Sequence, residues 1–156
     1  MNQEQFTNKL KEATNGAEYA GQLSNYALTS ITLGRSNYPV QNLIFYLHDM
    51  GLRLVLEDMA TEQEFFADSV LAIHKVLNIL MHRYQKDAKL VYRKTAIHYT
   101  TPKSFDQSEI DCMESKSEGR AYAASLSIKT LLAVCEVIYC DIKFIKSDES
   151  SVINNF

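Results

Sequence analysis

Apolar side chains recur at helical spacing through most of the chain and alternate with polar ones in two short stretches. Phe6, Leu10 and Ala13 predict an amphipathic helix over 2–14, stopped by Asn15-Gly16. AEYAGQLS (17–24) predicts a short helix, and Asn25 is placed to cap another that runs to Gly34. GRSNYP (34–39) reads as a turn that sets Pro39 at the start of the next helix. There Leu43, Ile44, Leu47 and Met50 share a face, and Gly51 closes the helix. Leu52, Leu54 and Leu56 then alternate with Arg53, Val55 and Glu57, the pattern of a short strand. A long helix is predicted over 61–84, its stripe formed by Phe65, Phe66, Val70, Ile73, Leu77, Leu80 and Met81. Asp87 can cap a helix over 88–96, and Thr100-Thr101-Pro102 suggests a further short helix or turn. Ser127 caps the strong helix IKTLLAVCEVIY, and residues 141–146 form a second alternating strand.

The segment QNLIFYLHDMGLRLVLED matches KTLLAVCEVIYCDIKFIK at an offset of 88 residues. Leu43 meets Leu131, Ile44 meets Leu132, Leu47 meets Cys135, Leu54 meets Ile142 and Leu56 meets Phe144. The spacing is too long for a solenoid repeat and fits two related halves. The alternative is the chance likeness of any helix followed by a strand.

Composition narrows the class. With 46% hydrophobic and 22% charged residues the chain has the material for a core. Two prolines and five glycines argue against a loop-rich β sandwich. The net charge of −3 excludes a uniformly basic coat, but it is unevenly spread. Residues 66–105 carry seven basic and two acidic side chains, whereas 1–65 carry four basic and eight acidic. Residues 105–120 are polar and read as a flexible insertion, and 148–156 as a loose tail. The three cysteines, Cys112, Cys135 and Cys140, show no metal-binding spacing and read as free thiols. The polar start lacks the apolar stretch of a signal peptide, and no apolar run is long enough for a bilayer. A cytoplasmic protein without a membrane partner is expected.

The phrase GRSNYPVQNLIFYLHDMGLRLVLED resembles the closing part of the Xre family, the lambda-repressor and Cro-like helix-turn-helix fold. LSIKTLLAVCEVIYCDI resembles the same closing helix, and KDAKLVYRKTAIHYTTPKSF looks like the stretch before it, with Ala96-Ile97-His98 in place of Gly-Ile-Ser. The likeness touches most of 16–58 and 87–146, and the second copy departs from the pattern by the insertion 105–120. It implies a mainly α fold: helix-turn-helix bundle halves over 1–60 and 87–147, a connecting helix over 61–86, and one or two short β-strands. It also implies a DNA-binding transcriptional regulator that acts by site occupancy on double-stranded DNA, as a homodimer. In the second half, His98, Tyr99, Thr100, Thr101 and Lys103 fall where the recognition helix starts, with Lys86, Lys89, Arg93 and Lys94 as phosphate contacts. In the first half, the recognition helix would be 26–33. Asn25, Thr29, Ser30 and Thr32 would meet bases or phosphates there, and Arg35 would sit near a phosphate.

Other chemistry finds little footing. His48, His74, His82 and His98 are scattered and complete no metal set. Glu57-Asp58 reads as a solvated acidic turn rather than half of an acid–base pair. There is no nucleophile motif and no glycine-rich phosphate loop. The expectation is therefore a protein without enzymatic activity, metal or cofactor. The rival is a protein-interaction module, such as an antitoxin or regulatory partner, whose helix-turn-helix shape does not bind DNA. On that view the basic island is one solvated helix face, and Tyr92 and Tyr99 simply pack.

Overall fold

The computed structural model describes residues 1–99 and 126–147. The expectations for Thr100, Thr101, Lys103, Cys112, the insertion 105–120 and the tail 148–156 lie outside them. Helix α1 (Gln3–Thr14) opens with a capping box. The Asn2 side chain accepts from the Gln5 N–H at 2.8 Å, and the Gln5 side chain accepts from the Asn2 N–H at 2.9 Å. Helix α2 (Asn25–Leu33) is capped by Ser24, one residue earlier than the expected Asn25. Helix α3 (Val40–Asp49) follows Pro39 and leads through Gly51 into β1 (Leu52–Asp58).

Two expected helices are absent or shortened. Residues 17–24 are irregular, because Tyr19 is claimed by a distant helix. Its ring stacks on Tyr46 with centroids 5.6 Å apart, and its hydroxyl donates to Asp49 at 2.6 Å while accepting from the Leu23 N–H at 3.0 Å. Gly21 lies so close to Tyr19 and Asp49 that a Cβ would collide with both side chains. A helix this short has too few internal bonds to compete with those anchors. The stretch 61–84 is not one helix either. It divides into β2 (Gln63–Phe66) and α4 (Val70–Arg83). The Glu62 N–H returns to the Asp58 carbonyl at 2.7 Å, which folds β2 back onto β1. Phe65 and Phe66 are adjacent, so a strand directs them to opposite faces, and both are buried. Ser69 then starts α4 by accepting from the Ala72 N–H at 3.0 Å.

Helix α5 (Ala88–Thr95) follows α4, and α6 (Ile128–Val137) leads into β3 (Cys140–Lys146). Among the described residues the sheet has three antiparallel strands in the order β2-β1-β3, one more than the expected maximum of two. With six helices among the described residues, the fold is mixed α/β with substantial helix.

The offset of 88 noted in the sequence is also a spatial relation. Strands β1 and β3 pair about Val55 and Lys143, which are 88 residues apart and directly opposite each other. Around them the pairs exchange: Leu54 faces Phe144, and Leu56 faces Ile142. A second self-matched pair, Pro39 and Ser127, forms an isolated bridge at the starts of α3 and α6. Beside it the Val40 N–H bonds the Leu126 carbonyl at 2.8 Å, and the Ile128 N–H bonds the Tyr38 carbonyl at 2.9 Å. The two helix–strand units thus meet about a local two-fold axis. Flanking these units, α1 packs on α6 and β3 while α4 packs on α3 and β1. At the turn between helix and strand, Gly51 (φ 72°) is matched by Tyr139 (φ 53°), a non-glycine residue in the left-handed region.

Val40, Leu43, Ile128 and Leu131 are fully buried in one continuous core together with Leu56 and Leu77. Leu43→Ala and Leu131→Ala are each expected to lower stability by about 2–5 kcal/mol. In a denaturant titration followed by circular dichroism, each variant should still unfold in one transition, because the core is shared. Two separated transitions would show that the halves fold independently.

Candidate nucleic-acid interface

Helix α5 owes its position to one buried side chain and two well-defined ends. Asp87 caps it by accepting from the Leu90 N–H at 2.8 Å. Val91 is fully buried and anchors the helix, which packs on α6. The helix stops at Ala96, a left-handed residue (φ 59°) whose N–H bonds the Tyr92 carbonyl at 2.7 Å. That turn brings His98 back over Tyr92, where the two rings stack with centroids 4.2 Å apart and planes 21° from parallel. Lys89, Arg93 and Lys94 are exposed, and Lys86 is half-buried just before the helix. Among the described residues none of these four cations is held in an ion pair. Asp87, Lys89, Tyr92, Arg93, His98 and Tyr99 line a cavity of about 530 Å³.

The structure gathers the second-half candidates unevenly. Lys86, Lys89, Arg93, Lys94 and His98 lie on or beside α5. Tyr99 does not serve as an exposed reader: it is 5% accessible and points inward. Its hydroxyl lies 2.8 Å from Nδ1 of the buried His74, with the rings 5.7 Å apart and nearly parallel. Residues 97–99 are irregular, so no helix starts at His98 within the described chain. The signal missed in the sequence was Tyr92. It is absent from the expected contact residues and packs only on the rival view, yet it is 46% exposed and shares a face with Lys89 and Arg93 at helical spacing.

The first-half candidates form a weaker surface. Thr32 bonds back to its own helix at the Leu28 carbonyl (2.9 Å). Ser30 is buried, donating to the Tyr26 carbonyl and accepting from Ser36, both at 3.0 Å. Thr29 is half-buried, and Asn25 and Arg35 are exposed. The outward face of α2 instead presents Tyr26 (78% exposed) and Leu33 (48% exposed).

A third cluster was hidden in the sequence. Asp58 is fully buried rather than part of a solvated turn. Its carboxylate accepts from the Tyr84 hydroxyl at 2.7 Å, Arg83 at 2.6 Å and the Ala60 N–H at 3.0 Å. Arg83 also donates to Gln63 at 3.0 Å, so it is spent on the hairpin and not free for a ligand. Cys135 and Cys140 are free and buried. Among the described residues no three His, Cys, Asp or Glu side chains are placed to hold a metal ion, and no helix is long and apolar enough to cross a membrane. Comparison with known proteins finds no matching family model, curated relative or solved structure.

Burial works to raise the Asp58 pKa, but the bonds from Tyr84, Arg83 and Ala60 outweigh it and hold the carboxyl below its ordinary value. The folded value lies below the unfolded one. The stabilisation is therefore complete above the unfolded carboxyl range and is lost as pH falls through the folded value. Asp58→Asn is expected to cost about 1–3 kcal/mol at neutral pH. It should also flatten the acid side of the stability–pH curve in urea titrations.

Proposed function

We propose that the protein binds double-stranded DNA through the face of α5 and acts as a transcriptional regulator by occupying its site. The observation that carries this reading is the placement of Lys89 and Arg93 in one recess with the Tyr92–His98 stack, with Lys86 and Lys94 on or beside the same helix and, among the described residues, none of the four in an ion pair. Cations at this density attract a polyanion, and phosphate contacts supply most of the affinity of such complexes. The resemblance of 87–146 to the Xre family supports the choice of duplex DNA as that polyanion.

A second reading has one observation in its favour. Tyr26 and Leu33 lie exposed on α2, in the acidic half of the chain, and suit a protein partner better than a phosphate backbone.

The two are separated by fluorescence anisotropy with labelled genomic duplexes across a salt series. Four phosphate contacts predict a slope of log affinity against log salt of roughly −3.6. Lys89→Glu/Arg93→Glu should weaken binding to all sequences alike and make the slope shallower by about two. Absence of binding at low salt would overturn the DNA reading.

A further inference from the structure

We infer that the cavity at α5 receives a single nucleotide held out of the base stack, its base against the Tyr92–His98 pair and its phosphate between Lys89 and Arg93. The inference rests on reading α5 as a nucleic-acid face and names the unit recognised there. The exposed cations of α5 can meet a duplex backbone. Beside them the structure also forms a recess of about 530 Å³, inside the range of roughly 300–1,000 Å³ that suits small ligands. Tyr92 and His98 already stack at 4.2 Å with planes 21° apart, so a planar ring can extend the stack. Any base offers a π-face to such a platform.

The polar groups fit the rest of a nucleotide. Lys89 and Arg93 line the same recess and, among the described residues, are held in no ion pair, so their charge can meet a phosphate. Asp87 uses one carboxylate oxygen to cap α5. The other can accept from an exocyclic amine, as a carboxylate does from the cytosine N4 group. The floor is fixed from the core, because the Tyr99 hydroxyl is tied to His74 at 2.8 Å. The left-handed turn at Ala96 holds His98 in register with Tyr92. A base inside a duplex cannot reach this recess without unstacking, whereas one already unpaired does so at the least cost.

The test compares a labelled duplex with the same duplex carrying one unpaired cytidine, using the full chain and its Tyr92→Ala and Tyr92→Phe variants. The unpaired nucleotide should tighten binding by about fivefold or more. Tyr92→Ala should abolish that gain, measured as the ratio of the two affinities, while Tyr92→Phe should keep it. Tyr92 is half-exposed, and an unchanged thermal melt of the alanine variant confirms that its fold is intact. Competition by free cytidine monophosphate, abolished by Tyr92→Ala, would also support the pocket and show that it accepts free nucleotides. Equal affinity for both duplexes, or a gain that survives Tyr92→Ala, overturns the nucleotide site and leaves the DNA-binding face standing. Binding to neither duplex overturns both.

Discussion

The antiparallel pairing of β1 with β3 about Val55 and Lys143 is the constraint from which the rest of the architecture follows. It joins segments far apart in sequence, and the Pro39–Ser127 bridge fixes the same relation at the other end of the two helices. Each helix–strand unit is therefore held at both ends by its counterpart. A slip of one residue in the ladder would turn every side chain of one strand to the opposite face. It would also pull the starts of α3 and α6 out of alignment. The register is protected by burial, since Leu54, Leu56 and Ile142 are all almost wholly inaccessible.

The parts of this arrangement legible in the sequence were those set by local periodicity. Leu43 and Leu47 marked the buried face of α3, and Leu52, Leu54 and Leu56 marked a strand. Their matches 88 residues later pointed to two units but left chance likeness open, and the pairing geometry favours related units. What local pattern could not reveal was competition from distant residues. Tyr19 is held by Tyr46 and Asp49, so a segment with adequate helix propensity stays irregular. Phe65 and Phe66 fitted a helical stripe as well as a strand buried on both faces, and the ambiguity is resolved only by pairing with β1.

The α5 site shows the same division. Its cations were visible as a charge-biased segment, because charge is a property of composition. The Tyr92–His98 stack was not, since it depends on a left-handed alanine, a conformation that sequence would assign to glycine or asparagine. Tyr99 was misplaced for want of its partner His74, which lies on α4. Asp58 was misplaced in the same way: beside Glu57 it looks solvent-bound, and only the approach of Arg83 and Tyr84 makes its burial tolerable.

The local two-fold axis also changes how the assembly behaves as a chemical system. Two separate chains joined by such a ladder would obey mass action and come apart on dilution. Two units on one polypeptide stay together at any protein concentration. They are also released from the rule that a symmetric contact must carry the same residue twice. Gly51 answers to Tyr139 and Asp58 to Lys146 across this axis. The molecule is in effect an obligate heterodimer with a fixed one-to-one ratio, whose members can specialise while their shared seam remains intact.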